Sequence, residues 1–268
     1  MGANSYLVGS DGGKPMIQTG NRIFGAAAIA LGLVGLVWGD FAAVWQPVPQ
    51  EMPGYVFLAY AAALLQCGAG LALQWRRTSA AGALLLAALC AVFALLWARR
   101  IIAHPEIFAV WSGTAEQLAL AVGGFAAYVS QRPRDELFAV RFAQACRLAF
   151  GLCLVAFGAA HFLYVTETAA MVPAWLPPGQ RIWALATGAA HLLAGLALLS
   201  GIKALLAARL LTAMFVGFGL LVWLPQLFAT PHEHIAWAGN AINFALIGAA
   251  WAVADMVARF GPRSHPQS

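Results

Sequence analysis

The chain has 268 residues, of which 62% are hydrophobic and only 9% charged, and it carries a net charge of +5. A soluble domain is about a quarter charged, so a water-soluble core of this composition is excluded and lipid must be the solvent for most of the chain. The positive charge does not point to nucleic acid, because the basic residues sit at the ends of apolar segments and not along one face or in a tail.

In chain order, residues 1–21 lack an apolar run and a cleavage site, and they read as a cytoplasmic tail, not as a signal peptide. MGANSY has Tyr6 where a myristoylation signal needs Ser or Thr. Apolar segments then recur at 22–45, 54–75, 79–98, 107–129, 147–167, 181–200, 204–225 and 236–257. Each is near the ~20 residues that a helix needs to cross ~30 Å of hydrocarbon. None alternates as a barrel strand would, so the expected fold class is an all-α membrane protein with eight transmembrane helices. The Pro-rich breaks QPVPQEMPG (46–54) and PAWLPPGQ (173–180) cannot continue a helix, and WRRTS (75–79) and SGIK (200–203) read as tight turns.

The sequence is also written twice. Arg22, Pro53-Gly54 and the run beginning at Gly70 recur 125 positions later as Arg147, Pro178-Gly179 and the run beginning at Gly195. Pro105, Trp111, Gly113 and Leu120 recur 126 positions later as Pro231, Trp237, Gly239 and Leu246. The expected organisation is a first four-helix repeat at 22–130, a connector at 131–146, a second repeat at 147–258 and a tail at 259–268. Repeats with an even number of spans share one orientation, so they should be related by a pseudo-twofold along the membrane normal.

Twelve of the 15 basic residues fall on the side of the termini, and only Arg99, Arg100 and Arg181 fall opposite. The positive-inside rule then puts both termini in the cytoplasm. Trp45, Trp97, Trp111, Trp175, Trp183, Trp223 and Trp237 fall near the outer span ends, as an interfacial belt would. Cys67, Cys90, Cys146 and Cys153 show no metal spacing and read as small hydrophobes. Gly32, Gly35 and Gly39, and Gly151 with Gly158, offer close helix approach, most simply inside one bundle.

Residues 158–201 carry His161-Phe162, Val172-Pro173, Trp175-Leu176-Pro177 and Gly195, and the chain closes on HIAWAGNAINFALIGAAWAVAD (234–255). This pattern resembles the DoxX-like family of bacterial membrane proteins, and it covers the second repeat best. The first repeat has Trp38-Gly39-Asp40 where the family pattern has His-Phe. The resemblance implies a bacterial inner-membrane protein that is redox-associated and works with quinone or a partner oxidoreductase. Two other readings stay open: a small-solute or proton-coupled carrier, and a non-catalytic membrane anchor or assembly subunit.

Few polar groups fall within the spans, so each counts. Glu116 lies about nine residues into the fourth span, and an intramembrane carboxylate marks either a functional site or a protonated interhelical hydrogen bond. His161 and His191 are each a haem ligand, a proton relay, a quinone partner or an interhelical hydrogen bond. A haem b needs two axial groups, usually both His, and is disfavoured. Gln66, Gln117, Asn240 and Asn243 complete a candidate polar layer, in which Glu116 and His191 are expected to face inward close to one another. His104, His232 and His234 are weak metal candidates, since H-E-H is not a ligand spacing. No phosphate loop, nucleophile triad or dinucleotide fingerprint is present. The expected surroundings are lipid and a redox partner protein.

Overall fold

A computed structural model describes residues 19–261. The readings placed on 1–18 and 262–268, including Lys14 and Arg263, lie outside the described residues. The fold is all-helical, with no strand among the described residues. Its helices are α1 (Thr19–Trp38), α2 (Tyr55–Ala72), α3 (Ser79–Ala103), α4 (Phe108–Val129), α5 (Leu137–Leu163), α6 (Val165–Met171), α7 (Gln180–Ser200), α8 (Ala204–Phe218), α9 (Leu224–Ala229) and α10 (His234–Phe260). A wide π turn, Gly219–Trp223, joins α8 to α9, so Ala204–Ala229 runs as one rod.

Seven of these rods are long and apolar enough to cross a bilayer: α1, α2, α3, α5, α7, α8–α9 and α10. The expected fourth span, α4, has the length but not the apolarity, because Ser112, Thr114, Glu116 and Gln117 dilute it. The physical reason lies in its position. Helix α4 packs on α3, α5 and α10 and buries most of its residues, so it presents little surface that lipid would have to solvate.

Several bounds differ from those read in the sequence. Helix α1 ends at Trp38, seven residues before the expected stop; the chain turns at Gly39 (φ 63), and a single 3-10 turn, Ala43–Trp45, follows. A side chain at Gly39 would need a left-handed backbone and would meet the Tyr60 hydroxyl at 2.8 Å. Helix α5 starts at Leu137, ten residues earlier than the expected span, so much of the connector is helical. Phe142 stacks there on Phe138 at 5.4 Å and meets Phe125 edge-on at 5.5 Å, and Arg132 grips Glu136 through two hydrogen bonds of 3.2 Å. That pair raises the Arg132 pKa. The short helix α6 lies inside what reads as the end of a span and a loop.

The neighbours run in a ring: α1 on α2, α2 on α3, α3 on α4, α4 on α5, α5 on α7, α7 on α8, α8 on α10 and α10 on α1, with α4 also touching α10 across the middle. Small residues set the crossings, as expected where lipid supplies no hydrophobic drive between helices. Gly25 lies on Gly70 and Gly32 on Ala63 between α1 and α2; Gly151 lies on Gly195 and Gly158 on Gly188 between α5 and α7. Gly248 lies on the Phe24 backbone, and Gly123 on Ala249. Polar ends are tied down: the Asp255 carboxylate accepts the Gly20 N–H at 3.1 Å in the first turn of α1, and Arg147 donates to the Leu198 and Leu199 carbonyls ending α7.

Candidate functional site

The candidate site is a cavity of about 560 Å³ enclosed by α5, α7, the α8 π turn and α10, with α4 closing one wall. Tyr164, α6 and the following Pro-rich loop cover it, with Met171, Val172, Pro173 and Leu176 facing in. The cover is anchored locally. Gln180 Nε2 donates to the Val172 carbonyl at 2.6 Å, and Trp183 Nε1 donates to the Pro177 carbonyl at 2.9 Å. The Tyr164 hydroxyl accepts the Ala109 N–H at 3.0 Å, which ties the cover to the first turn of α4.

Two histidines form the polar centre. His161 comes from the last turn of α5 and His191 from the middle of α7, where Gly188 lets the helices approach; a Cβ there would meet that of His161 at 2.7 Å. Their ring centroids are 4.8 Å apart. His161 Nδ1 lies 2.8 Å from the Phe157 carbonyl, and His191 Nδ1 lies 2.9 Å from the Thr187 carbonyl. A carbonyl only accepts, so in both rings Nδ1 carries the hydrogen and, in the neutral imidazole, Nε2 is left as an acceptor. His191 is 1% exposed and ringed by Phe157, Phe215 and Phe218 at 5.7–6.1 Å. Two axial ligands on opposite faces of a haem would hold their ring centroids about 6 Å apart, given metal–nitrogen distances of ~2 Å, so this closer pair does not fit that role.

Glu116 lines the same cavity from α4. Its Oε1 accepts the indole N–H of Trp45 at 3.1 Å. Trp45 is held in turn, because its carbonyl accepts Trp97 Nε1 at 3.2 Å and its ring meets Trp223 edge-on at 5.7 Å. No hydrogen bond joins Glu116 to His191; the two share the cavity, and each bonds elsewhere. Asn243 also lines the cavity, and its Nδ2 donates to the Phe215 carbonyl at 3.2 Å.

The remaining polar residues lie elsewhere. Asn240 bonds the Trp223 and Ala236 carbonyls at 2.6 and 3.0 Å and does not line the cavity. Gln66 is buried within the first four helices, and Gln117 is buried beside Glu116 but outside the cavity. His104 sits 3.5 Å from Glu106, and His234 stacks on Trp38 at 5.1 Å. Neither they nor His232 belongs to a group of three or more His, Cys, Asp or Glu able to hold a metal, and the described residues contain no such group. Sequence reasoning assigned Trp45 and Trp223 to an interfacial belt and missed their roles at this wall. Nothing local in QPVPQ or GLLVW marks them.

The π turn has a visible cause and consequence. Pro225 has no N–H to return to the Leu221 carbonyl, and its ring crowds the preceding turn, so the helix widens just before it. The widened turn carries Leu221, Val222 and Trp223 into the cavity wall, and Asn240 takes up the Trp223 carbonyl.

The Trp45–Glu116 bond gives a direct test. Trp45→Phe removes the donor and leaves a carboxyl oxygen without its partner at the cavity wall, at a cost of up to about 1–3 kcal/mol. Glu116→Gln keeps an acceptor, so it should cost less alone. Glu116→Leu removes the acceptor and should shrink the effect of Trp45→Phe. Thermal unfolding of the wild type, the three single variants and the Trp45→Phe/Glu116→Leu double variant in one detergent checks this; equal effects of Trp45→Phe in the wild-type and Glu116→Leu backgrounds would mean that the bond carries no coupling energy.

No family model, curated protein or solved structure matches the chain.

Proposed function

We propose that this chain is a DoxX-like protein of the bacterial cytoplasmic membrane, with eight spans in two tandem four-helix repeats, that binds a quinone in the second repeat and works with a partner oxidoreductase. The observation that carries the reading is the convergence of His161, His191 and Glu116 on one largely apolar cavity. An apolar pocket with a few convergent polar groups suits a flat, largely hydrophobic ligand with polar oxygens at its edge. Each free Nε2 accepts a hydrogen bond, so the quinol form, which donates through its hydroxyls, matches the neutral rings. Met171, Trp183 and Leu221 line the cavity and are 38–42% exposed, which suits entry from the lipid side.

The packing supports the duplication. The α1–α2 crossings at Gly25·Gly70 and Gly32·Ala63 correspond to the α5–α7 crossings at Gly151·Gly195 and Gly158·Gly188. Those pairs put α1 and α5 at an offset of 126, one more than Arg22 and Arg147 suggest. Trp97 packs on Gly113 as Trp223 packs on Gly239. Gly123 packs on Ala249, its own counterpart 126 residues on, as a residue beside a twofold axis would. A carrier built on such repeats would be expected to break matching helices; α3 is continuous over Ser79–Ala103 while its counterpart carries the π turn, so that reading gains nothing.

Two experiments test the proposal. Protein purified in mild detergent should release a quinone into organic solvent, in roughly molar amount, and should bind an added quinol analogue saturably; a protein that does neither is no quinone protein. For orientation, a reporter active only in the cytoplasm should work after Ser268 or near Arg134 and be silent near Gln50 or Gln226. The reverse pattern would invert the assignment.

A further inference from the structure

A second cavity, of about 370 Å³, lies in the first four helices, away from the histidines. Its walls include Asp40, Phe41, Gln46, Tyr55, Trp97 and Arg100. The Asp40 carboxylate is organised: its Oδ1 accepts the Tyr55 hydroxyl at 2.5 Å and the Phe41 N–H at 2.7 Å. Gln46 is 5% exposed, and its Oε1 accepts the Ala42 N–H at 3.0 Å, which points its amide oxygen at the loop backbone and leaves the NH₂ as a donor. Arg100 is exposed and lies over the Trp97 ring at 4.8 Å. Among the described residues neither Arg100 nor Asp40 forms an ion pair, and the basic group whose charge Asp40 influences, His234, does not line the cavity. One cavity thus holds an acid and a base that do not neutralise each other.

A ligand of single charge fits such a site poorly. An anion drawn to Arg100 would meet Asp40, and a cation drawn to Asp40 would meet Arg100. A zwitterion satisfies both. Val44 lines the cavity and is 57% exposed, and Val56 and Phe57, next to Tyr55, are 56% and 75% exposed. Apolar surface of that kind at the rim of a charged pocket suits acyl chains descending from a polar head. The volume is at the lower end of the ~300–1,000 Å³ range of ligand pockets, enough for a headgroup and not for a whole lipid.

We propose that this cavity binds the headgroup of an amine-bearing zwitterionic phospholipid, the chemistry of phosphatidylethanolamine, with the ammonium on Asp40 and the phosphate on Arg100. The site uses none of the residues proposed to meet quinone, so either assignment can fail alone.

The test uses the full chain in detergent, titrated separately with short-chain phosphatidylethanolamine, short-chain phosphatidylglycerol and free phosphoethanolamine, with thermal stability as the readout. The expected result is a saturable rise with phosphatidylethanolamine and none with phosphatidylglycerol. Arg100→Gln and Asp40→Asn should each weaken the apparent affinity about fivefold or more, as loss of one charge-assisted hydrogen bond does. If Asp40→Asn disturbs the fold through Tyr55, Arg100→Gln decides alone, since Arg100 is exposed and lies over the Trp97 ring. Equal stabilisation by both lipids, or unchanged affinity in Arg100→Gln, overturns the proposal. A response to free phosphoethanolamine equal to that with the lipid overturns the lipid as the source.

Discussion

Gly248→Leu is expected to prevent the native bundle from forming. A Cβ at Gly248 would lie 2.4 Å from Phe24 Cα and 2.6 Å from Phe24 N, and both atoms are backbone. No rotamer change relieves a collision with backbone, so α1 and α10 must separate. Helix α10 is the most enclosed of the seven apolar rods, and it contacts α1, α4, α5 and α8. Ordinary overpacking costs about 1–3 kcal/mol, and forcing two helices apart along a seam should exceed that range. The check is size-exclusion behaviour and thermal unfolding in detergent. Gly68→Leu is the control, because nothing lies within 4 Å of the Cβ it would add. Equal tolerance of both substitutions would refute the close α1–α10 seam.

The second large effect concerns the histidine pair. Under the quinone proposal, His191→Ala should weaken binding of a quinol analogue at least about tenfold, by loss of a hydrogen bond in a dry site and of the ring surface around it. His161→Ala should do the same. The double variant should lose less than the product of the two, because the rings touch at 4.8 Å and each positions the other. His191→Gln, which keeps a hydrogen-bonding tip, should retain more affinity than His191→Ala. Binding unchanged in both alanine variants, with the fold intact, would remove the pair from the site. Losses that simply multiply would mean that the two histidines act independently.

The spans were legible because hydrocarbon thickness demands long apolar runs, and α1, α2, α3, α5, α7, α8–α9 and α10 supply them. Which face of each span points inward was much less legible. Helices that are apolar all round carry almost no periodic signal, so Gln66, Gln117 and Glu116 read alike in sequence. The structure turns Glu116 into the cavity and leaves the two glutamines outside it. The inward placement of His161 and His191 could be argued from the cost of exposing imidazole to lipid, but their contact with each other could not. It depends on Gly158 and Gly188, which bring α5 and α7 together at that depth. Trp45 was illegible as the partner of Glu116, because 71 residues separate them and the 3-10 turn that aims the indole inward sits in a Pro-rich loop. Helix α6 was hidden for a related reason: VTETAAM is short, and its docking on α7 and α5 is not visible in sequence.

The π turn also bears on ancestry. An α-helix that gains one residue without breaking accommodates it as a π turn. If the two halves descend from one duplicated unit, their numbering should slip by one at such a place. Ala83 and Leu86 of α3 and Ala208 and Leu211 of α8 are all buried, and each pair is 125 apart; Trp97 and Trp223, each lying on a glycine of the next long helix, are 126 apart. Under that descent the slip within α8 would fall between Leu211 and Trp223, the interval that contains Gly219–Trp223. On this reading a single-codon insertion shifted the wall of one half and left the other half regular. Under such a descent, the gained residue would be held as a bulge because Pro225 keeps the following turn from closing regularly, and the bulge would have reshaped the wall of the histidine cavity.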